Sequence, residues 1–446
     1  MESLNVPCPR RKVSSVTFRH NTRFIVLAAT ILALIFASAN TILFNFTVIC
    51  MTEDTAENKT SEIFDQNEKG VLYSAVAIGT LISCLVIMKL ISILGGRLTF
   101  VIYGFISGIA TLAFPLAVNY GVIPVFLMRT MQGIGNGMAF ASIGYVSSAW
   151  CPIRTSGLAP LMTMPLAGFF CTSSYGWQMI YYIQGVLTIV SYIFFYFVYK
   201  DQPRFHQHVS DKELFTIEHK KSVTSIDKKG TPPPAPYWEM MKDKFVLGTL
   251  VACIGDFVCF NIFVLFAPVY LNKVLGLDIA ETGIMSAIPY LGSLVVKILI
   301  GPISDGLKGI STLNSISMTL CLTILGLIPT EWIFFAQFIY LIAIVFSAFN
   351  AVGYYKSVQL SSGPFASTIM SWFAVIYSIV ILLLPIFKTL LVREDEVSQW
   401  RIFFFIASGI CFVTLIIWIF IAEVELRPWA VIPPKLSTAG FWEKKI

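Results

Sequence analysis

Apolar residues gather into twelve runs along this 446-residue chain, and polar residues fall mostly between them. The runs are Arg23–Cys50, Gly70–Leu90, Leu98–Val118, Val122–Trp150, Ser156–Cys171 and Trp177–Tyr199, then Val246–Leu271, Thr282–Leu307, Ile310–Leu327, Glu331–Val352, Phe365–Val392 and Trp400–Ala422. A hydrocarbon core roughly 30 Å thick takes ~20 helical residues to cross, and only the fifth run is clearly short of that. Backbone N–H and C=O groups find no water in lipid, so each run is predicted to be a helix. Runs longer than one crossing are expected to tilt or to continue into the loops.

Composition agrees with the pattern. Apolar residues make up 56% and charged residues 13%, with a mean hydropathy of +0.77. A soluble domain does not carry that balance. The expected fold class is therefore an all-α polytopic membrane protein, twelve helices in two six-helix halves, with an unusually short fifth helix. Residues 1–22 and 423–446 are expected as cytosolic tails and 23–199 and 245–422 as the halves. Between them, 200–244 is polar and holds the proline run Pro232-Pro233-Pro234 with flanking charge, which reads as a cytosolic linker.

Lys and Arg set the expected orientation. With both ends inside, 23 fall on the inner side and five on the outer, while Arg129, Lys297 and Lys388 lie within runs. The positive-inside rule is met, so the net charge of +6 reflects topology and points to no nucleic-acid partner. The predicted outer loop Met51–Lys69 carries Asn58-Lys59-Thr60, a glycosylation sequon on the side where the modification is possible. The first run is long and lacks a small-residue cleavage site, so it is expected to be retained as a helix. Nine Cys scatter through the runs and are expected to be packing residues, not a disulfide framework.

The two halves show a weak repeat. Gly95-Gly96-Arg97 follows the second run, and Gly301-Pro302-Ile303-Ser304-Asp305 follows the eighth. Gly96, Arg97, Gly301 and Asp305 are candidates for an inner-loop gating motif.

Six plus six helices around a long inner loop resembles the major facilitator superfamily, in which substrate binds between the halves near the midplane. Arg129-Thr-Met-Gln132-Gly133-Ile-Gly135-Asn136-Gly137 in the fourth run is similar to R-x-x-Q-G-x-G-E-G of its anion:cation symporter family, the sialin, vesicular glutamate and type I sodium–phosphate group. Gly176-Trp177 through Tyr181, Tyr182 and Gly185 precedes and enters the sixth run as in that family. Asp201-Gln-Pro203, Val209-Ser210 with Glu213, Pro268-Val-Tyr270-Leu271, Ser286 to Leu291 and Trp429-Ala430 extend the likeness in order along nearly the whole chain. The resemblance implies a secondary active transporter of an organic anion or phosphate, driven by sodium, protons or potential.

The chain departs from that family at four places. Leu43 stands where an Arg often precedes the first-run N-[LV]-[ST], Asn136 replaces a carboxylate, Ser92 replaces an acidic residue, and the fifth run is about ten residues short. The missing carboxylate weakens the expectation of proton coupling at that position. The short run, interrupted by Pro160 and Pro165, is either a broken-helix site or a helix that has lost about three turns. The intact flanking motifs favour the second, with poor folding or weak transport as its expected consequence.

Arg129 is the strongest candidate for chemistry. Gln132, Gly133 and Asn136 lie at i+3, i+4 and i+7 from it, on one helical face. A guanidinium there offers two N–H groups to a carboxylate or phosphate. The plainer reading is an Arg that braces neighbouring helices through carbonyls, with Gly133 and Gly137 as a packing face. Asn45 in the first run is a weaker candidate for the path. Asp256 and Lys297 fall at equal depth on consecutive runs, which permits an intramembrane ion pair; the alternatives are a structural pair or a Lys297 that snorkels inward. Tyr181 and Tyr182 are expected at the aromatic belt or in packing.

Enzyme chemistry finds no support, since the four His lie in predicted cytosolic segments without a metal-ligand pattern and no P-loop is present. The expected protein is a transporter without resident cofactor or metal, its partners a small anion, the bilayer and a co-transported Na+ or H+. An uncoupled facilitator or channel and a transport-dead scaffold are the alternatives. No acidic dileucine signal stands in the tails, which favours the plasma membrane over a lysosomal or vesicular one.

Overall fold

The computed structural model describes residues 21–55, 59–149, 158–203, 206–210, 213–214, 236–303, 310–351, 353–362, 365–421 and 427–430. The first half runs α1 Thr22–Thr47, a hairpin of β1 Thr52–Thr55 and β2 Lys59–Glu62, α2 Gln66–Leu94, α3 Gly96–Val118, α4 Val122–Ala149, α5 Leu158–Thr172 and α6 Gln178–Val198. A short α7, Tyr237–Lys242, leads into α8 Lys244–Val269. Then follow α9 Ile279–Ile303, α10 Ile310–Leu327, α11 Ile333–Phe346, α12 Tyr354–Ser362, α13 Ala366–Leu391 and α14 Val397–Ile421.

Local chemistry sets several of these ends. Asp65 and Glu68 form a capping box that starts α2. Asp243 Oδ1 accepts from Phe245 N–H at 2.8 Å and starts α8. Gly95, at φ +81°, makes the turn between α2 and α3 that a side chain would strain. Pro268 removes a backbone donor near the end of α8, and a π-helical turn, Tyr270–Val274, follows.

Eight described helices are long and apolar enough to cross a membrane. Phe334, Phe420 and Ile123 are among the large apolar side chains left exposed, as lipid-facing residues would be. The tenth predicted run differs. Its helix breaks into a 3-10 turn at Ser347–Ala351 and resumes as α12, beyond the expected end at Val352. Tyr354 is fully buried against the Trp418 ring, with its hydroxyl 2.7 Å from Ser315 Oγ, so tertiary contacts hold this polar segment helical.

The halves meet along two seams. Counting α1–α6 as crossings 1–6, α8 as 7, α9 as 8 and α13 as 11, crossing 2 packs on 11 and crossing 5 on 8. Crossings 2 and 8 occupy equivalent places in the two halves, as do 5 and 11, so each seam is the other with the halves exchanged, the signature of two repeats about a common axis. The seams are close. A Cβ on Gly70 would lie 2.3 Å from Thr389 Oγ1, and one on Gly283 would lie 2.9 Å from Met164 O. Within the first half, α2 and α4 approach through Gly79, Gly133 and Gly137, as the small-residue spacing anticipates.

Two cysteines do not fit the expected packing role. Cys50 and Cys171 form a disulfide that ties the end of α1 to the end of α5, 121 residues apart in sequence. The pairing needs the helix ends brought side by side, which composition does not reveal. The described part of α5, 15 residues, is roughly 22 Å long. The disulfide pins its end on the hairpin face of the molecule, and α5 packs on α9 and α1.

Candidate functional site

Arg129 sits in the second turn of α4, ~10 Å below the hairpin face, and is 1% exposed. Its Nη1 donates to Thr41 O on α1 at 3.0 Å and to Gln132 Oε1 at 2.9 Å, and Nε points to Leu72 O on α2 at 3.5 Å. The guanidinium carbon lies 4.7 Å from the Phe44 ring centre. Gln132 Nε2 passes the link on to Thr111 Oγ1 of α3 at 3.0 Å. One side chain thus touches α1 and α2 and, through Gln132, α3. No carboxylate is among its partners, and Nη2 makes no hydrogen bond with the described residues.

Aromatic residues surround this cation. Phe44 meets Tyr73 and Phe114 edge to face, and Phe114 stacks on Tyr181 at 4.4 Å. Tyr181 is fully buried and shares a 2.8 Å hydrogen bond with Thr47, while Tyr182 is exposed. Tyr73 is buried, contacts Phe266 of the second half at 5.5 Å, and its hydroxyl has no hydrogen-bond partner.

Asn45 lies on the seam. Its Nδ2 donates to Val264 O of α8 at 3.3 Å, and its buried Oδ1 is unpaired, as is Asn261 Oδ1 on α8. Asn136 is half-buried on α4 below Gln132 and is not hydrogen-bonded to either Arg129 or Gln132. Leu43 is fully buried and apolar.

Asp256 is buried on α8 and accepts from Asn314 Nδ2 of α10 at 2.6 Å. Lys297 is half-buried on α9, a helix that packs chiefly on α5 and α11. Gly96 and Arg97 open α3. Asp201 Oδ1 accepts from Arg97 N–H at 2.8 Å, and the Arg97 guanidinium lies 3.9 Å from the Tyr196 ring centre, so the motif anchors α3 to the end of α6. Gly301 lies in the last turn of α9. Asp305 and Asn58 lie outside the described residues.

A polar cluster on the hairpin face had no counterpart in the sequence reading. Glu62 on β2 is bonded by Lys69 of α2 and by Lys273, at 2.9 Å, from the turn after α8. Lys388 of α13 pairs with Asp395 at 2.9 Å, and Gln66 bonds both. These residues are scattered over more than 330 positions and only the seam collects them.

A profile of the Major Facilitator Superfamily matches residues 29–385. The chain belongs to that superfamily. It is a membrane transporter of the facilitator type, similar to sialin of Ovis aries, 25% identical over 76% of this chain and 72% of that protein. It is also similar to sodium-dependent phosphate transport protein 3 of Mus musculus, 23% identical over 81% of this chain and 80% of that one. The crystal structure of a D-xylose-proton symporter matches its fold with a TM-score of 0.69 at 16% identity, over 90% of this chain and 98% of that one. In the facilitator frame, Arg129 stands beside the seam that alternating access must open.

Proposed function

We propose that this facilitator carries small anions, an organic carboxylate or inorganic phosphate, with Arg129 as the residue that binds them. The supporting observation is a buried guanidinium with no carboxylate among its partners, beside the seam between the halves. A buried charge left uncompensated is costly, and an anion that neutralises it recovers that cost. Gln132 orients the guanidinium, and Asn45 and Asn136 extend the polar path along the seam. Asp256 and Lys297 serve the coupling step in the second half, and Gly96, Arg97, Gly301 and Asp305 the opposite gate.

Transport is driven by sodium, by protons or by potential, and Asn136 offers no titrating group of its own beside Arg129. The hairpin face is the non-cytosolic one. It carries the Cys50–Cys171 disulfide, a product of an oxidising compartment, and the sequence puts the Asn58-Lys59-Thr60 sequon in the same loop between the first two helices. Both termini are then cytosolic, and the plasma membrane is the favoured location.

The test is uptake of labelled phosphate, glutamate, sialic acid and urate into proteoliposomes under a sodium gradient, a proton gradient or an imposed potential. Concentrative uptake of one anion is expected. Uptake that only runs downhill would replace coupling with facilitation, and folded protein that moves none of the four would overturn the proposal.

A further inference from the structure

The hairpin face holds a pocket lined by Glu62, Lys69, Tyr73, Lys273 and Lys388, among others, from both halves. The Glu62 carboxylate is bonded there from both halves. Lys69 bonds Oε2 from the first half, and Lys273 Nζ bonds Oε1 from the second at 2.9 Å. Two ammonium groups therefore grip the two oxygens of one carboxylate. That is the geometry by which a protein binds a free carboxylate or phosphate. Glu62 rides on β2 of a two-stranded hairpin, outside the helix bundle, and reaches this position from there.

A second observation points to a ligand. Tyr73 lies one helical turn below Lys69 on the same face of α2, lines the same pocket, and is 5% exposed. Its hydroxyl has no hydrogen-bond partner. A buried unpaired hydroxyl costs ~1–3 kcal/mol and marks a place where a polar group is missing. Beneath it stands Phe44, in edge contact with Tyr73 and beside the Arg129 guanidinium. Lys69, Lys273, Tyr73 and Arg129 form a descending series of donors from the hairpin face to the buried cation.

We infer that Lys69 and Lys273 form an anion-binding site at the hairpin-face entrance, plugged in this closed conformation by the chain's own Glu62. The site takes a small carboxylate or phosphate. When the halves part, Lys273 leaves with the second half while Glu62 stays with Lys69 on the first, so Lys273 is freed to meet an incoming anion, which displaces Glu62 and bridges the two lysines as the face closes again. Tyr73 then donates to the anion on its way to Arg129. The inference rests on the anion-transport reading above for its purpose, though not for the binding event itself.

The experiment measures binding of inorganic phosphate and of glutamate to purified full-length protein, by thermal stabilisation against matched sodium chloride. Wild type, Glu62→Gln, Glu62→Ala and Glu62→Gln/Lys273→Gln are compared. Both Glu62 variants should bind one of the two anions about two- to fivefold more tightly than wild type, and the double variant should lose that gain. Equal affinity in wild type and both Glu62 variants, or a gain that survives Lys273→Gln, would overturn the inference. If one Glu62 variant fails to fold, the other serves. Slower reaction of Thr389→Cys, which lines the same pocket, with a membrane-impermeant thiol reagent when phosphate is added, in the Glu62→Gln background, is the independent check. Failure of the transport reading is distinguishable: plug-dependent binding without uptake leaves the site standing, whereas uptake without plug-dependent binding removes the site alone.

Discussion

Arg129 Nη1 and Gln132 Oε1 lie 2.9 Å apart, one turn from each other on α4, and the Gln132 amide in turn donates to Thr111. This link fixes the plane of a guanidinium that has no acidic partner. Gln132→Ala removes the orienting acceptor and keeps the charge. Transport should fall about tenfold, equivalent to about 1.4 kcal/mol, with Gln132→Glu falling further because it introduces a competing carboxylate. Initial uptake rates in proteoliposomes check both.

Gly79 and Gly133 are where α2 and α4 touch. A Cβ on Gly79 would lie 1.9 Å from Thr130 O, and one on Gly133 2.1 Å from Val76 O. Each change to Ala should destabilise by at least ~1–3 kcal/mol, since neither neighbour is a side chain that can swing away. Gly409→Ala, with nothing within 4 Å, is the control and should leave the melting temperature unchanged or slightly raised. Thermal unfolding in detergent measures all three.

The Cys50–Cys171 disulfide predicts a cross-linked pair of peptides carrying these two residues in a non-reducing digest. Cys50→Ser or Cys171→Ser should lower stability by ~2–4 kcal/mol and make the end of α5 more susceptible to protease from the hairpin face. Loss of protection elsewhere, with α5 unchanged, would argue against the tether.

Glu62 gives the hairpin-face latch a definite pH response. Burial raises its carboxyl, but hydrogen bonds from Lys69 and Lys273 outweigh that and hold it below its ordinary value. A depressed carboxyl stabilises the closed face above the ordinary value near 4.3, and the stabilisation is lost as pH falls through the lowered one. Gln66, Lys388 and Asp395 share the same pocket. Labelling of Tyr73→Cys by an impermeant thiol reagent, corrected for thiolate content, should stay flat from pH 7.5 to about 5 and rise only below about 4. In Glu62→Gln it should be high at every pH. The Glu62–Lys273 pair is partly exposed, so the latch itself is worth only ~0–1 kcal/mol and high salt should weaken it.

The class, the run pattern and the Arg129–Gln132 face were legible in the sequence, because membrane helices announce themselves by length and by the rarity of charge within them. Arg129 was legible for the same reason. Its partners were not: Thr41 O and Leu72 O are backbone groups, which leave no mark on composition. The Glu62–Lys69–Lys273 grip was hidden because each residue looks like an ordinary loop charge until the seam collects them. Lys388 stood out as a charge within a run, and Asp395, seven residues on, is the partner that explains it. The disulfide was missed because a count of nine Cys says nothing of two helix ends meeting. The helix beyond Val352 was missed because its sequence is polar and its burial is tertiary.

The central claim is that Arg129 binds the transported anion, and it is tested most directly by uptake in wild type, Arg129→Ala and Arg129→Lys at matched amounts of folded protein. Bracing alone requires only donors to Thr41 and Leu72, whereas anion binding requires the planar fork. Concentrative uptake of one anion should drop at least ~100-fold in both variants, about 2.7 kcal/mol, while Arg129→Lys keeps the wild-type melting temperature within a few degrees. Anion uptake that persists in Arg129→Lys, or that is lost only in proportion to lost stability, would contradict the claim and leave Arg129 a brace.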